Sequence, residues 1–341
     1  MTLYVDQLEA HGISRRVIAL WKKTGFGELL PLQEEAVART GVLQGKNLVV
    51  FAPTSSGKTF IAEMAAIKQL ESNKRVIYLV PTRALAEEKY RAFRDLYKTL
   101  GYRILAATRE RPENDKPVLM GQFDLLVAVY EKMKSYLVQK PSLLNQAGVV
   151  IADELQILGD PERGGIADLL LTKIAQSPYQ VQFIGLSAVL GDAIRISRWL
   201  GCEFLKESSR PVELREGILN IEEGRFCYRA FNTGEEGAEE IAPATWFQEV
   251  AEENFLVEAI FSLAWYLAEI KNEQVLLFVP TRGMSRLWAK EISERANLAP
   301  VKKALSSLEK FEESHSRSLL LSCLQKGAAY HNADLSFRLR K

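Results

Sequence analysis

An α/β fold built on a parallel sheet is what this sequence predicts, and three observations predict it. Short apolar runs of strand length alternate with helical patterns. The runs are continuously apolar, as strands buried on both faces are. Several end in turn residues that open straight into a helix. The chain has 341 residues, room for two domains at about 150 residues each. Apolar residues make up 47% and charged residues 26%, which excludes a disordered or collagen-like chain.

The elements follow in order. Residues 47–51 (N-L-V-V-F) form the first strand and lead through Pro53-Thr54-Ser55-Ser56-Gly57 into an Ala/Leu-rich helix to about Glu71. Residues 75–80 (R-V-I-Y-L-V) lead into Pro81-Thr82 and a helix to about Leu100. Residues 125–129, 149–152 and 182–186 are further strands, each followed by a helical stretch. Around Ser208-Ser209-Arg210-Pro211 the pattern changes. We therefore divide the chain into an N-terminal segment 1–19, a first domain 20–207 and a second domain 208–341. Residues 222–253 carry nine Glu against two Arg, with Gly224, Gly234 and Gly237, and read as a solvated acidic loop and helix start facing away from any polyanion. An amphipathic helix is expected over 246–270, then a strand over 275–279 (V-L-L-F-V), then Pro280-Thr281-Arg282 and another helix. Three strand ends read alike: Phe51-Ala52-Pro53-Thr54, Leu79-Val80-Pro81-Thr82 and Phe278-Val279-Pro280-Thr281. That hints at two related α/β domains, the second incomplete. Pro-Thr is also a common strand-to-helix turn, so the repeat alone leaves both readings open.

Charge and cysteine usage narrow the class. Lys plus Arg is 44 against 43 for Asp plus Glu, a net charge of +1, so any basic surface must be local. Cys202, Cys227 and Cys323 are odd in number and widely spaced, with no C-x-x-C. A disulfide framework, a zinc ribbon and a four-cysteine iron–sulfur cluster are therefore not expected. The start, M-T-L-Y-V-D-Q-L-E, has no basic region of the signal-peptide kind. The most apolar helical stretch, 255–270, contains Glu258 and Glu269 and falls short of the roughly 20 apolar residues of a membrane span. A cytoplasmic protein without membrane association is expected.

The sharpest chemical signal is Ala52-Pro53-Thr54-Ser55-Ser56-Gly57-Lys58-Thr59 between a strand and a helix. That context makes a phosphate cradle: loop amides and the positive helix end meet phosphate oxygens. Lys58 would reach the β- and γ-phosphates, and the Thr59 hydroxyl would ligate Mg²⁺. Ala52 stands where the general pattern has Gly. The partner signal is Val149-Val150-Ile151-Ala152-Asp153-Glu154, an apolar strand delivering two adjacent carboxylates. Asp153 would hold Mg²⁺ and Glu154 would orient the attacking water.

With these motifs in place the chain resembles the superfamily-two helicases, most closely their Ski-like branch, which includes archaeal fork-processing DNA helicases. The resemblance covers about residues 20–341. Leu30-Pro31-Leu32-Gln33 looks like the adenine-reading element, with Gln33 as reader. Pro81-Thr82-Arg83-Ala84-Leu85-Ala86 resembles a motif that grips the nucleic-acid backbone, and Tyr130-Glu131-Lys132 sits where the family places another strand contact. Asp153-Glu154-Leu155-Gln156, with Leu158-Gly159-Asp160 and Arg163-Gly164 behind it, is close to the metal motif and its tail. Leu186-Ser187-Ala188-Val189 resembles the coupling motif, residues 210–217 the interdomain crossing, and residues 329–335 a nucleic-acid-facing motif of the second domain. Read alone, Gln33 is also a surface helix residue, Arg83 a helix-start charge, Ser187 a helix cap, Lys132 a solvated lysine and His331 a loop histidine.

The resemblance implies two RecA-like parallel-sheet domains, the second incomplete. It implies an ATP- and Mg²⁺-dependent translocase that binds a single-stranded or forked nucleic acid, DNA in preference to RNA, as a monomer. The site residues it implies are Gln33, Thr54, Ser55, Ser56, Gly57, Lys58 and Thr59 for nucleotide, Thr59 and Asp153 for metal, and Lys58, Asp153, Glu154 and Gln156 for catalysis. Pro81, Thr82, Arg83, Lys132, Thr281, Arg282, His331 and Asn332 would face the strand, and Ser187, Ala188 and Val189 would couple it to hydrolysis. Gln156 replaces the family's usual His and Val189 its usual Thr, which bears on coupling and leaves nucleotide binding untouched. No Gln-x-x-Gly-Arg-x-Gly-Arg stretch follows Leu335. Loss of an arginine finger costs roughly 10³–10⁵ in turnover. The chain alone is therefore expected to bind ATP far better than it hydrolyses it, as the N-terminal portion of a longer protein or a truncated one. Two other readings stay open: an ATP-gated binding module with little hydrolysis, and a motor subunit of a DNA restriction or defence complex.

Overall fold

The computed structural model describes residues 3–188, 193–243, 245, 255–296, 298–308, 315–332 and 335. It divides into two compact units, Met1–Leu214 and Arg215–Lys341.

The first unit is a three-layer α/β sandwich. Its sheet holds β1 (Leu48–Phe51), β2 (Arg75–Val80), β3 (Ile104–Ala107), β4 (Leu125–Val129), β5 (Ala147–Ala152), β6 (Gln182–Ser187) and β7 (Glu203–Lys206). All neighbours are parallel and the order is β3-β4-β2-β5-β6-β1-β7. Parallel strands need helical crossovers, and these cover both faces. Alternate residues separate cleanly. Leu48, Val50, Val76, Tyr78 and Val80 pack on one side with the helices α1 (Arg15–Lys23), α2 (Pro31–Arg39), α3 (Lys58–Glu71) and α4 (Arg83–Tyr97). Val49, Phe51, Ile77 and Leu79 pack on the other with α5 (Asp115–Leu119), α6 (Tyr130–Gln139), α7 (Gly164–Ala175) and α8 (Ala193–Leu200). Val5 and Leu8, near the start of the chain, are buried in the first of these cores beside Trp21.

All five strands expected in this unit form. Two more, β3 and β7, complete the sheet. Each has four residues, and β7 buries only Leu205, so neither presents the long apolar run of a central strand.

The second unit departs from expectation. Residues 215–240, read in part as an acidic loop, form an antiparallel meander of β8 (Arg215–Asn220), β9 (Arg225–Ala230) and β10 (Glu236–Glu240). Its glutamates are exposed, as expected, but on a paired backbone. Along β9 the burial alternates with period two, and Arg215 lies 4.5 Å from the Tyr228 ring centroid and pairs with Glu239 at 2.9 Å. Charge counting hid this alternation. Residues 246–254 lie outside the described set. The helix expected there continues as α9 (Phe255–Trp265) with a π-helical turn, Tyr266–Ile270. The strand expected over 275–279 does not join any sheet among the described residues, and Leu276 and Phe278 are 77% and 89% exposed. An apolar run becomes a strand only where another backbone pairs with it. The helices α10 (Arg282–Ala296), α11 (Lys302–Leu308) and α12 (His315–Leu324) then pack around Ala289, Leu320 and Cys323. No helix among the described residues is long and apolar enough to cross a membrane.

Candidate active site

The C-terminal ends of β1, β5 and β6 lie side by side, since β6 pairs with both others. Ligands bind at this end of open parallel sheets. After β1 the chain makes the phosphate-cradle turn. Ser55 (φ 68°) and Gly57 (φ 85°) are left-handed. The positive φ favours glycine at position 57, and a Cβ there would also push against the Gln33 amide, 2.3 Å away. Ser56 Oγ donates to Pro53 O at 2.8 Å, bracing the loop, while Thr54 and Ser55 are exposed at its crest. Lys58 opens α3, and its ammonium donates to the carbonyls of Ala52 and Pro53. Burial lowers the Lys58 pKa, Glu154 and Asp153 oppose this, and the charge of Arg210 adds to it.

Gln33 is buried on α2. Its oxygen accepts from Leu30 N at 2.9 Å and its amide donates to Gly57 O at 3.1 Å. The predicted adenine reader thus braces the phosphate loop directly.

Asp153 follows β5, its N–H bonded to Leu79 O at 2.9 Å. The buried Tyr78 hydroxyl donates to Asp153 Oδ2 at 2.8 Å, and the buried Tyr130 hydroxyl donates to Asp153 O at 2.9 Å. Burial and the neighbouring Asp153 hold both tyrosines well above the usual phenol range, so both remain donors. Lys89 on α4 stands 3.7 Å from Asp153 Oδ2 and 3.4 Å from Thr59 Oγ1. Two hard oxygen donors sharing one cation are a donor set that fits Mg²⁺. Thr59 and Asp153, predicted as metal ligands, are therefore brought together. Glu154 has φ 56° and ψ 54°. This left-handed geometry is uncommon for a non-glycine residue and is typical of functional turns.

Gln156 links three predicted elements. Its amide donates to Glu154 Oε2, and its oxygen accepts from Ser187 Oγ at 3.2 Å and Ala188 N at 3.4 Å. The substitution of the family's His therefore leaves a bridge between the carboxylate and the end of β6. Val189 lies outside the described residues.

The predicted strand contacts are more varied. Thr82 caps α4, accepting from Leu85 N at 3.3 Å, and the exposed Arg83 pairs with Glu110 at 3.1 Å. Lys132 is engaged by both oxygens of Asp115, at 2.6 and 2.7 Å, instead of standing free. In the second unit Thr281 Oγ1 accepts from Met284 N at 3.1 Å. Asn332 is buried and donates to Arg282 O at 3.1 Å and Ser285 Oγ at 2.9 Å, while His331 is exposed.

Tyr78 and Lys89 escaped the sequence reading, as did the part that Tyr130 plays at Asp153 and that Arg163 plays at Pro81. Arg163 donates to Pro81 O and from Nε to Glu131 Oε1 at 2.7 Å, tying the turn after β2 to the start of α6. Lys89 left a signal, since it falls on the apolar stripe of Ala86, Phe93 and Tyr97, an unusual place for a charge.

A phosphate loop and a strand-end acid pair on one parallel sheet define the first unit as a nucleotide-binding domain of the P-loop NTPase class. Residues 30–196 match the DEAD/DEAH box helicase family. The chain carries the helicase domain of that family. It is 33% identical over 337 residues to the ATP-dependent DNA helicase Hel308 of Thermococcus kodakarensis, covering 97% of this chain and 27% of that protein. It is 32% identical to the ATP-dependent DNA helicase Hel308 of Pyrococcus horikoshii, covering 96% of this chain and 42% of that protein. The same figures for the protein of that name from Pyrobaculum calidifontis are 32%, 96% and 44%. The chain spans less than half the length of these relatives.

Proposed function

We propose that this chain is the motor core of an ATP-dependent helicase or translocase acting on single-stranded or forked nucleic acid, DNA in preference to RNA. The observation that carries this reading is that the end of β6 joins both parts of the site: Gln156 ties it to Glu154 of the acid pair, and Ser187 O accepts from Ala52 N, where the phosphate loop begins. The amides of residues 54–59 and Lys58 bind the ATP phosphates. Lys58 exchanges the carbonyls of Ala52 and Pro53 for phosphate oxygens as nucleotide enters. Thr59 and Asp153 hold Mg²⁺, with Tyr78 and Tyr130 fixing the orientation of Asp153. When bound, the ion neutralises phosphate charge and polarises the transferring group. Glu154 orients the attacking water, and Gln156 positions Glu154 relative to Ser187 and Ala188.

Strand binding is assigned to Pro81, Thr82 and Arg83, with Lys132 after release from Asp115, and to Thr281, Arg282, His331 and Asn332 of the second unit. Contacts of this kind position a backbone without reading sequence. As part of the same proposal, the protein acts in the cytoplasm as a monomer, in DNA repair.

The test is ATP binding and hydrolysis with and without single-stranded DNA or RNA. Lys58→Ala should lose nucleotide binding, and Glu154→Gln should keep binding while losing hydrolysis. Unchanged nucleotide affinity in Lys58→Ala, or normal turnover in Glu154→Gln, would reject the site.

A further inference from the structure

We propose that Lys89 is a positioning residue of the nucleotide site: a built-in cation that holds the Thr59 and Asp153 oxygens together and gives way to the divalent ion arriving with nucleotide. The proposal rests on the reading of those residues as the Mg-ATP site.

Lys89 lies two turns into α4, a helix that supplies none of the phosphate loop or the acid pair. Its Nζ stands 3.4 Å from Thr59 Oγ1 and 3.7 Å from Asp153 Oδ2. Both distances are long. A charge-assisted N–H···O bond closes to about 2.7–2.9 Å. The ammonium therefore sits between the two oxygens without closing on either, as a place-holder would. The surroundings confine it. Its side chain is 16% exposed, that of Asp153 is 11% exposed, and the Tyr78 ring centroid is 5.7 Å away. Asp153 Oδ2 also accepts from Tyr78, so the carboxylate stays fixed whichever cation it faces.

The chemistry follows from the charges. Asp153 without a counter-ion would carry an uncompensated charge at the edge of the core, which is costly. Lys89 supplies that counter-charge. A divalent ion at the same oxygens places like charges close together, and the flexible four-carbon stem of lysine lets the ammonium swing aside. The same cation would screen Asp153 from nucleotide phosphates when no metal is present. Lys89 thereby reduces the advantage that metal gives to nucleotide binding.

The experiment measures the dissociation constant for ADP in EDTA and in excess Mg²⁺, and takes their ratio. Lys89→Met should raise this ratio about tenfold, the energy of one pKa-unit-sized interaction, by weakening metal-free binding and sparing or tightening the Mg²⁺ form. Lys89→Arg should keep the ratio near wild type. An unchanged or smaller ratio in Lys89→Met, or an Arg variant that behaves like the Met variant, overturns the proposal. A second measurement uses the unaltered chain and so survives any folding defect in the variants. Acetic anhydride should label Lys89 faster in Mg-ADP than in ADP with EDTA, because the displaced ammonium is exposed. Equal or slower labelling overturns the displacement. Wild type that fails to bind ADP, or binds it with no Mg²⁺ dependence, would instead reject the nucleotide site itself.

Discussion

Arg163→Ala is the substitution whose cost the geometry sets most directly. The guanidinium makes two kinds of contact. It donates to the Pro81 carbonyl, and it pairs with Glu131 at 2.6–2.7 Å. A hydrogen bond from a charged donor contributes about 1.5–3 kcal/mol. The ion pair contributes less, about 0.2–1 kcal/mol, because both side chains are about one-third exposed and water can replace each partner. Alanine should therefore cost about 2–3 kcal/mol, with part of the carbonyl's loss recovered by hydration. In a unit of this size each kcal/mol lowers Tm by about 2–4 °C, so a fall of about 4–12 °C is expected by calorimetry. The second readout is strand affinity. Pro81 begins the turn that presents Thr82 and Arg83, and this turn loses its cross-brace in the variant. Single-stranded DNA should bind more weakly, while ADP affinity stays near wild type. Arg163→Lys keeps the charge but loses the fork that reaches both partners, and should fall in between. A Tm within about 1 °C of wild type, with unchanged strand affinity, would refute the bracing role.

Two further outcomes are expected. Gln156→Ala should leave ATP affinity within about threefold, while the stimulation of hydrolysis by single-stranded DNA falls tenfold or more, about 1.4 kcal/mol; full stimulation in the variant rules out the bridge from Glu154 to β6. Glu63, buried on α3, accepts from Trp21 Nε1 at 3.2 Å and from the Tyr97 hydroxyl, and burial raises its pKa despite those bonds and the charge of Lys89. A carboxyl whose folded pKa is raised stabilises fully below its unfolded pKa, near 4.3, and loses that contribution as pH rises through the folded value. The Tm of Glu63→Gln relative to wild type should therefore increase from acid to neutral pH, and a pH-independent difference would contradict the shift.

The site was legible to the extent that its chemistry is local. A phosphate loop needs its glycine, lysine and hydroxyl within a few residues of a strand end, and an acid pair needs only the strand before it. Lys58, Thr59, Asp153 and Glu154 could therefore be read directly from the sequence. The strands β1, β2, β4, β5 and β6 were legible for the same reason, as unbroken apolar runs. Tyr78 meets Asp153 across 75 positions and Arg163 meets Pro81 across 82. Those meetings depend on which strands are neighbours, and strand order is not written in any local pattern. The β8–β10 meander was missed for a different reason. Its period-two alternation is present, but glutamate count outweighed it, and neither face of a small exposed sheet carries a long apolar signature. The 275–279 run shows the converse: a strong strand composition without a ladder to join.

The sheet order has a consequence for how this unit can change over time. β6 lies between β1 and β5, and its carboxyl end accepts a hydrogen bond from Ala52 N at 3.0 Å as well as meeting Gln156. The strand that leads into the phosphate-cradle turn and the strand that ends in the acid pair thus share one neighbour instead of touching. A shift at Ser187, the carboxyl end of β6, would reach both the turn after β1 and, through Gln156, Glu154. Variation that adjusts the acid pair alone has to come from elsewhere, and α6, whose Tyr130 hydroxyl meets Asp153 O, is a surface from which it can, whereas α4 places Lys89 near both Thr59 and Asp153.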